Sequence, residues 1–153
     1  MSRRTISEEL LRKAVALHED DALGDAVRAV LAAGLPALPV VDAEGRVTGI
    51  FGEREFIRAA MPGYVGTLGY AAFVPASLDE ALEERESCLR DRVGDWMTTE
   101  HVELEQGFSD TQVAETFLGH HVLLLPVVGA DRRPRGVILR SDFFRALARR
   151  LGC

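Results

Sequence analysis

The chain states one pattern twice. "ALPVVDAEGRVTGIFGEREFIRA" runs from Ala37 to Ala59, and "LPVVGADRRPRGVILRSDFFRA" runs from Leu125 to Ala146. A shift of 87 residues lays Pro39 on Pro126, Val40 and Val41 on Val127 and Val128, Gly49 on Gly136, Phe56 on Phe143 and Arg58 on Arg145. The same ungapped register lays Val15, Leu17 and Leu31 on Val102, Leu104 and Leu118. Self-similarity at a fixed offset constrains a fold more than composition does, because each copy has to be the same supersecondary unit. The expected organisation is copy one at 1–61, an insert at 62–92 and copy two at 93–153.

Each copy reads β-α-β-β-α. "AVAL" and "HVEL" alternate like short strands. In "DDALGDAVRAVLAAG", Ala26, Val27, Val30 and Leu31 recur at helical spacing, and Gly34 is a stop signal. Val113, Ala114, Phe117 and Leu118 repeat that spacing in copy two. "ALPVV" and "LLLPVV" are apolar throughout, as in a strand covered on both faces. Asp42 and Gly45 mark a turn. "VTGIF" and "GVIL" return as strands, and "EREFIRAA" and "SDFFRALARRL" end each copy as amphipathic helices. One unit of roughly 50 residues buries too little apolar surface to stand alone. Two units facing each other cover their open sheets and leave pseudo-symmetric clefts at the seam. The predicted class is α/β (α+β), a pseudo-twofold pair.

Composition removes several function classes. The chain has 153 residues, 47 % apolar and 27 % charged, with net charge −6 and pI about 5.2. An acidic chain repels phosphate backbones, so no nucleic-acid partner is expected. The three arginines of "DRRPR" read as a solvated turn. No apolar run approaches the ~20 residues of a membrane helix, so no membrane span is expected. "MSRRTISEELLRK" has no apolar h-region, so no signal peptide is expected. Cys88 and Cys153 are far apart, which fits a reduced, cytoplasmic setting. His120 and His121 are adjacent and point to different sides, and His18 and His101 have no ligand spacing, so no metal site is expected. No nucleophile with a positioned base and no phosphate loop is present, and no catalytic residue is assigned.

With these elements in hand, "GLPALPVVDAEGRVTGIFGEREF" and "HHVLLLPVVGADRRPRGVILRSDF" resemble the cystathionine-β-synthase (CBS) domain, and the tandem resembles a Bateman module. The resemblance covers nearly the whole chain outside the insert. It implies a non-catalytic regulatory module that binds an adenine-containing ligand (AMP, ADP, ATP or S-adenosylmethionine) between the copies. It also implies a homodimer and a partner protein, unknown here, that reads the bound state. In the family an acid at the start of the last helix holds the ribose, apolar strand groups sandwich the adenine, and basic residues reach the phosphates.

Carried over, the ribose acids are Asp142 and Glu55. Ser141, Arg140 and Leu139 lead into Asp142, and Arg54 precedes Glu55. Val122, Pro126 and Pro39 mark the strands against which a base would lie. The family's Thr/Ser position is Gly52 in copy one and Leu139 in copy two, so neither copy supplies that hydroxyl. The Asp142 site is therefore the better expectation, helped by helix-start amides beside Ser141. For both acids a plain reading stands beside this one: a carboxylate in a first helical turn is favoured by the helix dipole. Arg54 reads first as solvated surface, and His121 first as a capping or turn residue, with the cleft as the second reading of each. Two alternatives to the sensor remain open, a structural interaction module with empty clefts and a detached regulatory part of an enzyme or transporter.

The insert combines "MPGYVGTLGYAAFVP", with Tyr64, Tyr70 and Phe73, and the helical "SLDEALEERESCLRDRV". Ser77 and Glu80 suggest a capping box, and Leu78, Ala81, Leu82 and Leu89 an apolar stripe. It reads either as packing that returns the chain to copy two or as a partner surface. Trp96 is expected in the core.

Overall fold

The protein is described from a computed structural model, which covers residues 5–61 and 77–153. The aromatic loop of the insert, with Tyr64, Tyr70 and Phe73, lies outside the described residues. Copy one consists of α1 (Ile6–Glu9), β1 (Leu17–His18), α2 (Leu23–Ala33), β2 (Ala37–Val41), β3 (Val47–Gly52) and α3 (Glu53–Ala60). Helix α4 (Leu78–Arg85) and a 3-10 helix at Glu86–Arg90 follow. Copy two consists of α5 (Val93–Trp96), β4 (Leu104–Glu105), α6 (Asp110–Gly119), β5 (Leu124–Val128), β6 (Pro134–Leu139) and α7 (Arg140–Arg150). Each copy forms a three-stranded sheet with the first strand parallel and the third antiparallel to the second. Register shifts fall at Val40/Val41 and Val127/Val128, which are 87 residues apart.

Local chemistry accounts for the elements. Gly34 ends α2 in the left-handed region (φ 65°), and its N–H bonds the carbonyls of Val30 and Leu31. Asp42 Oδ1 accepts from the N–H groups of Glu44 and Arg46, closing the turn between β2 and β3. These bonds, led by that of Arg46, hold the Asp42 carboxyl below its usual pKa. Ser109 and Gln112 form a reciprocal capping box at the start of α6. At α4 only half of the expected box forms: Ser77 Oγ accepts from Glu80 N–H. The helix predicted after Ser77 also breaks at Arg85 into the 3-10 segment, which brings Cys88 into the interior. Burial raises the pKa of that thiol.

Strands β2 and β5 are buried at all ten positions, as continuous apolar runs predict. A proline inside a central strand ordinarily loses a ladder bond. Here Pro39 faces Ile50, and Pro126 faces Val137. Ile50 and Val137 turn their N–H and C=O groups away from the prolines, to Thr98 and Arg12 respectively. The prolines therefore sit at pairs where no ladder bond is needed. The short β1 and β4 pair one and two residues further on, at Val40–Val41 and Val127–Val128, so the prolines face no missing partner there.

The copies are joined through shared core clusters, while copy two also has a core of its own around Leu104, Val113, Leu125 and Phe143. The core around Leu23, Leu38 and Phe51 of copy one includes Leu124, Val137 and Leu139 of copy two, with Trp96 and Met97 packed against it. Val41, Val47 and Val128 close the far end of the seam. Two expected core positions lie elsewhere: Leu31 and Leu118 are 73 % and 87 % exposed. Helical spacing placed them beside the core stripe, but both lie on a flank of their helices that no element among the described residues covers. Among the described residues no helix is long and apolar enough to cross a membrane.

Candidate functional site

The lead-in segments of the two copies cross over. Thr98 precedes β4 of copy two, yet exchanges both backbone hydrogen bonds with Ile50 in β3 of copy one, at 3.0 and 2.9 Å. Arg12 precedes β1 of copy one and does the same with Val137 in β6 of copy two, at 2.8 and 2.9 Å. Ile50 and Val137 obey the 87-residue shift, whereas Thr98 and Arg12 differ by 86. The crossing is thus the place where the repeat slips by one residue. Different side chains meet the two helix-start acids at these crossings.

At the first acid, Glu55 is only 4 % exposed. Its Oε1 accepts from Gly52 N–H at 2.9 Å and its Oε2 accepts from the Thr98 hydroxyl at 2.8 Å. At the second, Asp142 receives Arg12 in a forked pair, Nε to Oδ2 at 2.7 Å and Nη2 to Oδ1 at 3.0 Å. Arg145 adds a longer contact at 3.5 Å. The Arg12 and Asp142 side chains are 51 % and 13 % exposed, so the pair sits at a partly solvated rim.

A cleft of about 580 Å3 opens at the Glu55 end, with walls from both copies. Copy one contributes Pro36, Ala37, Ile50, Glu53, Arg54, Glu55 and Arg58. Copy two contributes Thr98, Glu100, His101, Val102 and the stretch His121–Leu124. One side is apolar strand edge and the other is the charged first turns of α3. Three carboxylates and two arginines line it. Arg58 donates to the Trp96 carbonyl at 2.8 Å, while Arg54 has no polar partner among the described residues. His101 Nδ1 faces the Thr99 carbonyl and Nε2 faces Glu103, at 3.1 and 2.8 Å. Two acceptors flank one ring, so only its doubly protonated form makes both bonds. Glu103 also holds Arg132, whose guanidinium reaches the Val47 carbonyl and so ties the cleft wall to the hairpin turns of the seam.

Of the residues singled out in the sequence, Arg54, Glu55 and Val122 line this cleft, and so does His121. Pro39 and Pro126 are buried in mid-sheet and Leu139 is buried at the end of β6; none reaches it. Arg140 and Ser141 are exposed at the start of α7. The cleft thus opens at the acid that sequence reasoning ranked second, while Asp142 is engaged by Arg12. Sequence reading missed Arg12 and Thr98, and weighed His101 only as a metal ligand. Their one available signal was position, since each lies in the stretch just before a copy's first strand. Among the described residues no group of three potential metal ligands converges.

Comparison with known proteins agrees with this architecture. A protein of Methanocaldococcus jannaschii, MJ1426, is 20 % identical over 150 residues, covering 92 % of this chain and 89 % of its own. The crystal structure of the CBS domain of a CBS-domain-containing membrane protein from Sphaerobacter thermophilus superposes with TM-score 0.69 at 27 % identity, covering 93 % of this chain and 86 % of that one. The structure of CBSX2 from Arabidopsis thaliana in complex with AMP gives TM-score 0.69 at 17 % identity, covering 97 % and 99 %. The CBS domain profile matches residues 6–62 and again 93–149, and the chain therefore belongs to the CBS domain family, as a tandem pair.

Proposed function

We propose that this protein is a regulatory module that binds an adenine-containing nucleotide in the seam between its two CBS domains. The cleft at Glu55 carries this reading. Its 580 Å3 fall within the usual range for small-ligand sites. The apolar edges of Ile50, Val122 and Leu124 suit a flat base. Arg54 and Arg58 suit a phosphate. Glu55 already accepts a hydroxyl, that of Thr98, as it would from a ribose. The AMP complex of CBSX2, a protein of the same fold, supports the ligand class.

Because the walls come from both copies, a ligand that touches both favours one relative arrangement of them. A partner protein that prefers that arrangement reads the ligand by population shift. Titration calorimetry with AMP, ADP, ATP and S-adenosylmethionine tests this. Binding by at least one of them is expected, weakened at least tenfold by Arg54→Ala. Absence of binding by all four refutes the ligand reading.

One observation favours a second reading, an interaction module whose clefts stay empty. Both oxygens of Glu55 are satisfied inside the chain and Asp142 is held by Arg12. In that case the melting temperature is indifferent to all four compounds.

A further inference from the structure

We propose that the seam site at Asp142 is held shut by the chain's own Arg12, which occupies the carboxylate in place of a ligand. This rests on the seam being a ligand site, but not on the Glu55 cleft being filled. The 87-residue shift lays Ile50, Arg54, Glu55 and Arg58 on Val137, Ser141, Asp142 and Arg145, so the two acids stand at corresponding places in the two copies. Their bonding differs. Glu55 caps its own helix by accepting from Gly52 N–H. Asp142 accepts from no backbone N–H among the described residues; its oxygens face only arginine side chains, Arg12 in a fork and Arg145 at 3.5 Å.

Arg12 offers Asp142 what a ribose diol would offer: two donors, one to each carboxylate oxygen, at 2.7 and 3.0 Å. Guanidinium and diol need the same two oxygens, so each excludes the other.

The backbone holds this lock in place. Arg12 exchanges both backbone bonds with Val137. A Cβ on Gly136 would lie 2.4 Å from the Arg12 carbonyl oxygen, so the segment seats on β6 only because that residue is glycine. Just before it, Leu10 and Leu11 pack on the core of copy two, and Asp110 ties down α1 by accepting from Ile6 and Ser7 N–H. The side chain is not held in the same way. It is 51 % exposed, and its pair with Asp142 stands at the solvated rim, where such pairs are weak. It can swing away without moving the segment. A nucleotide that takes Asp142 with its diol leaves Arg12 free, beside Arg145, to meet a phosphate. The module is therefore unequal: its Asp142 site fills only when ligand is abundant enough to displace the guanidinium.

Titration calorimetry of the full chain with AMP and with ATP, read for stoichiometry, tests this. Arg12→Met keeps the aliphatic stem and loses the fork; Arg12→Ala is a second variant, and circular dichroism checks that both stay folded. Each should bind one nucleotide per chain more than the wild type, or bind it at least tenfold more tightly where the wild type already fills the site weakly. Arg12→Met/Asp142→Asn should lose that added binding. Arg12 variants with the wild-type stoichiometry and affinity overturn the proposal, as does added binding that survives Asp142→Asn. These results separate from those for the Glu55 cleft. A wild type that binds nothing, beside an Arg12→Met that binds one nucleotide, refutes the cleft and supports the lock. One nucleotide bound by both, with equal affinity, refutes the lock and leaves the cleft.

Discussion

The Glu55–Thr98 contact makes a quantitative prediction. Thr98→Val removes the hydroxyl while keeping the volume and both backbone bonds to Ile50. A hydrogen bond to a charged group contributes about 1.5–3 kcal/mol, and the bond lies next to a buried carboxylate. The expected loss is about 1.5–2 kcal/mol, or roughly 3–8 °C in Tm for a chain of this size. Glu55→Ala removes the bond from Gly52 as well and strands its N–H at the start of α3, so about 3–4 kcal/mol is expected. In the Glu55→Ala background, Thr98→Val should then cost almost nothing. Urea unfolding of the four proteins should return a coupling of about 1.5 kcal/mol. Additivity within roughly 0.5 kcal/mol would refute the contact as a latch between copies. The same variant separates structure from ligand binding. If the hydroxyl competes with ribose for Glu55, Thr98→Val should bind AMP several-fold more tightly although it is less stable. Weaker binding would sink the competition argument.

Arg12→Ala keeps the backbone bridge to Val137 and removes only the fork to Asp142, so about 1 kcal/mol of stability should go; a larger loss by urea unfolding would mean that the side chain packs more than it pairs. Gly136→Ala should cost more than about 2 kcal/mol, because φ is 141° and the added Cβ would lie 2.4 Å from the Arg12 carbonyl oxygen; Gly119→Ala, with no atom within 4 Å, is the matched control. Asp110 anchors α1 by accepting from Ile6 and Ser7 N–H at 3.1 and 2.8 Å. Burial alone would raise its pKa, but the hydrogen bonds from Ser7 and Ile6 outweigh it and hold the carboxyl below 3.8. A depressed folded pKa means a contribution complete above the unfolded value and lost as pH falls through the folded one. Asp110→Asn should therefore narrow its stability gap to the wild type as pH drops below about 4; a gap that widens there would contradict the sign.

The doubled pattern, the buried β2 and β5 strands, the Asp42 turn and the Gly34 cap are all readable in one dimension. They rest on period, on turn chemistry and on residues with special backbone freedom, and these act within a few positions of the chain. Arg54, Glu55 and Val122 were reachable through the resemblance to the CBS domain, whose pattern marks the start of each copy's last helix and second strand. What the copies do to each other is not local. Leu31 and Leu118 share the helical spacing of core residues and still face outward, because periodicity cannot say which flank a neighbour covers. Pairing Thr98 with Ile50 and Arg12 with Val137 requires two sheets to meet face to face, and the one-residue slip between those pairs is invisible until they do. At those crossings a hydroxyl meets Glu55 and a guanidinium meets Asp142. Sequence alone determined two like units with unequal helix-start acids; only their packing decided which side chain meets each acid, since contacts between residues tens of positions apart answer to the geometry of the seam and not to any spacing along the chain.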